Sequence, residues 1–248
     1  MTDTAFEQQR RELVSRIGTD KALNDLTGQW LGKAQELGYS YNFDWLGLPI
    51  VQYPQDIVAM QELIWSIKPD LIIETGIARG GSLIFYASLL ELVALCGGPK
   101  DARVLGLDID IREPNRKAIE AHPLSGRVTM IQGSSIDPAI VEQVREQAQG
   151  YQRVLVCLDS NHTHDHVLEE LRAYAPLVTP GSYCVVFDTL VEHLPEAAIG
   201  DRPWGRGDNP LTAVHAYLEE TDDFETDAYV HDKLQISVAR EGYLRRRG

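Results

Sequence analysis

The chain has 248 residues, 44% of them hydrophobic and 24% charged, with 23 basic against 37 acidic side chains and a net charge of −14. That balance argues against general nucleic-acid binding, which rests on neutralising phosphates with Lys and Arg. The length suits one sizeable α/β domain with a decorated N-terminus rather than two domains. The opening residues lack the basic start and apolar core of a signal peptide, and no apolar run approaches a bilayer span. Cys96, Cys157 and Cys184 lie in apolar runs with no CxxC pair, so they read as buried core thiols in a reducing, cytoplasmic setting. The one basic cluster, Arg245-Arg246-Arg247, reads as a solvated tail.

Residues 4–37 are charged and helix-friendly, with Leu13, Ile17, Leu23 and Leu26 available for an apolar stripe. Residues 39–54 are aromatic and turn-rich, which suggests a loop laid over another element and a possible subunit interface. Residues 1–55 are therefore expected to form an N-terminal extension, and 56–248 the main domain. A helix is expected over 54–67, with Ile57, Met60, Leu63 and Ile64 on one face. Strands are expected at 71–74, 104–108, 128–132, 153–158 and 183–187, with a closing pair at 229–231 and 234–238. Helical patterns fill the gaps at 82–95, 115–121, 138–149, 164–174 and 210–219. Such alternation implies a mainly parallel sheet covered on both faces, with the last two strands an antiparallel edge pair joined by a tight connection.

The richest stretch is Leu71-Ile72-Ile73-Glu74-Thr75-Gly76-Ile77-Ala78-Arg79-Gly80-Gly81-Ser82. It reads as a buried strand ending in acid, a glycine turn and a helix start, the nucleotide end of an open α/β sheet. The turn lacks both G-x-G-x-x-G and G-K-[ST], so the dinucleotide and P-loop fingerprints are absent. Glu74 would repel a pyrophosphate and suits cationic S-adenosylmethionine, directly or through water; the competing reading is a helix-side ion pair. Asp108, ending the next strand, reads either as a ribose ligand or as a strand-end cap. Ser134 and Ser135 follow the third strand and are expected beside adenine. Arg79 reads either as a partner of the methionine carboxylate or as one side of a salt bridge.

Asp159 and Asp188 end adjacent strands at the same sheet edge. Two carboxylates meeting there repel unless a proton or cation intervenes, and hard oxygen ligands suit Mg²⁺; the alternative is charged strand ends without metal. His162 reads either as the base for an acceptor hydroxyl or as a structural imidazole. His164 and His166 read as a solvated or packed pair. Residues 200–210, with Trp204 beside arginines, read as a substrate-covering loop or an ordinary surface loop.

These motifs resemble the family named after cephalosporin hydroxylase, which includes rhamnosyl O-methyltransferases. The resemblance rests on Trp45-Leu46-Gly47-Leu48-Pro49, Pro69-Asp70-Leu71-Ile72-Ile73-Glu74-Thr75-Gly76, Gly80-Gly81-Ser82, Leu107-Asp108-Ile109-Asp110, Asp159-Ser160-Asn161-His162, Arg202-Pro203-Trp204-Gly205 and Gly242-Tyr243-Leu244-Arg245. It implies a Rossmann-like class I methyltransferase fold with a seven-stranded sheet and an S-adenosylmethionine-dependent O-methyltransferase acting on a sugar hydroxyl of a glycosylated metabolite or glycan. The expected cofactor residues are Glu74, Gly76, Arg79, Gly80, Ser82, Asp108, Asp110, Ser135 and Asp159. The resemblance makes His162 the base, with Asp159 beside it, and assigns Mg²⁺ to Asp159 and Asp188. Where related metal-dependent sugar methyltransferases carry a Glu before the second Asp, this chain has Phe187. No His-x-Asp iron triad is evident, so hydroxylation is not supported. The other readings weighed are a non-catalytic S-adenosylmethionine-binding partner of a tailoring enzyme and a nicotinamide-dependent oxidoreductase.

Overall fold

The computed structural model describes residues 4–248. Helix α1 (Thr4–Thr19) ends where Asp20 caps α2 (Lys21–Glu36), its carboxylate accepting the Leu23 amide at 2.9 Å. Leu13, Leu23 and Leu26 are exposed, while Val14, Leu31 and Ala34 are buried. The expected stripe is thus turned outward, because α1 lies against α10 (Ala228–Leu234) on its other side.

The aromatic stretch forms a small antiparallel hairpin, β1 (Phe43–Trp45) and β2 (Leu48–Ile50), over α4 (Gly81–Leu95). Leu46 and Gly47, both at positive φ, make its two-residue turn. Trp45 packs edge-on to Phe85 at 4.8 Å and donates its Nε1–H to Ser88 Oγ at 3.0 Å. This cover explains why α4 is apolar nearly all round: the sheet takes one side and the hairpin, with α3 (Pro54–Ile67), takes another.

The main sheet holds β3 (Leu71–Thr75), β4 (Arg103–Asp108), β5 (Val128–Gln132), β6 (Val154–Leu158), β7 (Tyr183–Val186), β8 (Phe224–Thr226) and β9 (Tyr243–Arg246), in the order β5-β4-β3-β6-β7-β9-β8. The first five are parallel and β9 is antiparallel to both its neighbours. Connecting elements are α4, α5 (Glu113–Glu120), α6 (Pro138–Ala148), α7 (His164–Tyr174), α8 (Glu196–Ile199) and α9 (Pro210–Glu220). Side chains alternate between two cores. Ile72, Val104 and Leu155 meet α3 and α4, whereas Ile73, Leu105 and Val156 meet α6, α7 and α9. The strand order reverses between β3 and β6, where the doubly wound fold opens its ligand crevice.

The parallel strands and their helices fall where the alternation predicts. The C-terminal pair does not. Residues 229–231 are helical in α10, because Asp227 caps them by accepting the Tyr229 and Val230 amides. Residues 234–238 form no strand: the buried Asp56 carboxyl accepts Ser237 Oγ at 2.6 Å and the Val238 amide at 2.9 Å, diverting that backbone from any ladder. The antiparallel partners are instead β8 and β9, separated by α10 rather than joined by a tight turn. Arg245 and Arg246 therefore lie in β9 rather than in a tail, and Arg246 donates to the carbonyls of Pro176 and Val178. Cys157 and Cys184 are buried, but Cys96 is exposed just beyond α4. No described helix is long and apolar enough to cross a membrane.

Candidate active site

Three cavities run together along the carboxyl edge at the β3/β6 reversal. The first is lined by Gly76, Asp108, Ser134, Ser135, Ser160 and His166; the second by Gly76, Arg79, Gly81, Ser82 and Asp159; the third by Asp159, His162, Asp188, Arg202 and Trp204. Gly76 is common to the first two and Asp159 to the last two, so one crevice passes from Asp108 to Trp204.

The turn after β3 is held by Asp108, whose Oδ2 accepts the Ile77 and Ala78 amides at 2.9 and 3.2 Å, and whose Oδ1 accepts the Asp110 amide at 2.9 Å. Gly76 has φ +91°, and a Cβ there would stand 2.0 Å from the Asp159 carbonyl oxygen. Close packing of the β3 turn on the loop after β6 therefore requires this glycine. Gly80, at φ +85°, starts α4 without a side-chain cap. Arg79 is exposed at the crevice, and no carboxylate among the described residues stands within ion-pair range of it. Asp110 lies outside, its side chain 70% exposed and 3.7 Å from Arg112.

Glu74 is wholly buried behind Ser82, whose hydroxyl donates to its Oε2 at 2.7 Å; Oε1 has no partner. Burial pushes the Glu74 carboxyl up to about 8, opposed by that hydrogen bond. The carboxyl is thus largely neutral near pH 7 until a cation approaches, and Ser82 stands between it and the crevice.

Past Asp159 the crevice becomes acidic. His162 Nε2 lies 3.3 Å from Asp188 Oδ2, and Trp204 meets the imidazole edge-on at 4.8 Å. Asp188 is a non-glycine residue at φ +55°. Burial, then Asp188, Glu74, Glu170 and Asp56, hold the Asp159 carboxyl well above the usual carboxylate range. Asp159, His162 and Asp188 each present one donor atom, all within 4.8 Å of one another, a set that fits a divalent cation. Phe187, in the position of the expected Glu, is 1% exposed and points into the core with Leu190 and Tyr243. The Arg202–Trp204 loop covers this end, tied down by Asn209 donating to Glu192 Oε2 at 2.5 Å and by Asp208 accepting the His164 amide at 2.6 Å. His164 is packed as expected, its Nδ1 2.9 Å from Thr212 Oγ1. His166 is not merely packed: it lines the first cavity, a placement that spacing alone did not signal. Ser40 and Tyr41, from the aromatic stretch read as a loop laid over another element, also reach the third cavity, as does Gln35 from α2.

A doubly wound sheet of this order, with a glycine turn and an acidic second strand end at its reversal, is the class I methyltransferase fold. The model of the family described as rhamnosyl O-methyltransferase/CmcI matches residues 37–247. Rhamnosyl O-methyltransferases of Mycobacterium tuberculosis and Mycobacterium leprae are each 30% identical over 205 residues; these cover 81% and 82% of this chain and 76% and 82% of theirs. Among solved structures, CmcI with Mg and SAM is 18% identical with a TM-score of 0.56, covering 84% of this chain and 78% of that one. The O-methyltransferase from Bacillus cereus in complex with SAH is 17% identical with a TM-score of 0.51, covering 86% of each. The chain belongs to the rhamnosyl O-methyltransferase/CmcI family and is an O-methyltransferase.

Proposed function

We propose that the protein transfers a methyl group from S-adenosylmethionine to a sugar hydroxyl, of rhamnosyl type, on a glycosylated metabolite or glycan. The observation that carries this reading is the sharing of Asp159 between the second and third cavities, which puts the His162–Asp188 pair one side chain away from the cofactor end. The mycobacterial relatives bear the name of rhamnosyl enzymes, which supports the sugar.

Asp108 and Ser135 would hold the adenosine, and Gly76, Ser82 and Arg79 the methionine end, with Gly80 starting α4 beside them and Glu74 acting through Ser82. Bound there, the cofactor supplies an electrophilic sulfonium methyl. Buried Glu74 favours its positive charge, because a cation nearby stabilises the ionised carboxyl. His162 takes the proton of the acceptor hydroxyl on the ring nitrogen that does not face Asp188, while Asp188, 3.3 Å from Nε2, orients the ring and stabilises the imidazolium that forms. Trp204 closes over the imidazole and excludes water, so the chain contributes chiefly alignment and desolvation. Asp159 and Asp188 fit Mg²⁺, which when bound would make the acceptor hydroxyl more acidic. The test is transfer of labelled methyl from S-adenosylmethionine to a panel of rhamnosides. Label in a rhamnosyl O-methyl ether supports the reading; no product from a protein that binds S-adenosylhomocysteine refutes the sugar assignment.

A further inference from the structure

His166 sits on α7 with its Nε2 among three oxygens: Ser135 Oγ at 3.1 Å, Ser160 Oγ at 3.3 Å and Glu170 Oε1 at 3.5 Å. Glu170 is fully buried, and its Oε2 has no partner. Ser160 donates its own proton to Glu170 Oε1 at 2.6 Å, so both Ser160 Oγ and Oε1 present lone pairs to the imidazole. With the Ser160 proton committed to Glu170, these lone pairs favour N–H at Nε2. A neutral imidazole protonated there carries its lone pair on Nδ1. That nitrogen has no hydrogen-bond partner among the described residues, is not buried without one, and belongs to a ring lining the cavity that Asp108 bounds at its other end.

We infer that His166 is the specificity residue for the base of the cofactor: its Nδ1 accepts a hydrogen bond from the exocyclic amine of adenine, and Glu170 is the positioning residue that fixes the tautomer. The inference rests on the S-adenosylmethionine reading and adds to it a rule, that the site selects a 6-amino over a 6-oxo purine. A 6-oxo base would turn an acceptor toward Nδ1, leaving two lone pairs facing each other.

Calorimetric titration with S-adenosylhomocysteine and S-inosylhomocysteine tests this without turnover. The wild-type protein should prefer the adenosyl ligand by at least about 10-fold. His166→Leu should lose that preference, through weaker adenosyl binding with inosyl binding nearly unchanged. His166→Gln, which offers an amide oxygen, should recover part of it. Glu170→Gln should lower the preference and shift the ¹⁵N signals of His166 away from the Nε2–H tautomer. A His166→Leu variant that binds S-adenosylhomocysteine with the wild-type preference overturns the assignment alone. A wild-type protein that binds neither ligand overturns the cofactor reading, and the assignment with it.

Discussion

His162 Nε2 stands 3.3 Å from Asp188 Oδ2, which joins the loop after β6 to the end of β7 in the lining of the third cavity. Asp188 holds a left-handed backbone at φ +55°, a conformation that a non-glycine residue keeps only where its surroundings impose it. Removing the imidazole with His162→Ala should lower kcat by about 10²- to 10⁴-fold. Binding of S-adenosylhomocysteine should hardly change, since His162 lines only the third cavity. Steady-state kinetics beside calorimetry checks this, and a variant with full kcat removes His162 from the chemistry.

Gly76→Ala should be far more damaging than its size suggests. The added methyl would meet the backbone of Asp159, and φ +91° is unfavourable for alanine. Gly47→Ala has a similar φ of +92° but open space around the new Cβ. Thermal unfolding should show the Gly47 variant reduced by about 1 kcal/mol and the Gly76 variant by clearly more, with cofactor binding lost only in the latter. Equal losses would mean that strain, and not the close approach of β3 and β6, sets the requirement.

Carboxyls whose pKa burial raises, Glu74, Asp56 and Asp159, make the free protein less stable as pH rises. Burial raises Glu74 to about 8 and Asp56 to about 6, against about 4 in an unfolded chain. Between those limits the native state binds more protons than the unfolded one, so stability is greatest below about pH 4 and falls as pH climbs, the Asp56 share ending near pH 6 and the Glu74 share near pH 8. Glu74→Gln removes the upper part of that fall. Denaturant unfolding at a series of pH values should show wild type and variant diverging between about pH 4 and pH 8 and running parallel above it; curves parallel throughout would show that Glu74 titrates normally.

The acidic end of the crevice should bind a divalent cation. Asp159→Asn deletes a charge from the donor set and should abolish calorimetrically detectable Mg²⁺ binding, while the wild-type protein shows one site. Full methyl transfer after exhaustive chelation would show that His162 and Asp188 serve without metal.

Much of this was legible in the sequence for a physical reason. Strands such as Ile72-Ile73-Glu74 are buried on both faces, so they appear as apolar runs closed by an acid, and the acids then fall at one sheet edge. Glu74 reads in the sequence as serving the cofactor directly or through water; that Ser82 stands between it and the crevice is a matter of packing depth that spacing does not encode. The C-terminal strands were misplaced because two side chains, Asp227 and Asp56, captured the backbone of residues 229–238. His166 reads in the sequence only as one of a solvated or packed pair, because its place depends on Ser135 and Glu170, 31 residues away and one helical turn on.

The most direct measurement is a crystal structure with S-adenosylhomocysteine, Mg²⁺ and a rhamnoside bound. The adenosine should lie between Asp108 and His166, the cation at Asp159 and Asp188, and one sugar hydroxyl within hydrogen-bond reach of the His162 imidazole with the vacant methyl position facing it. A sugar seated away from His162, or a cofactor outside the Gly76 turn, would contradict the assignment of this crevice to methyl transfer.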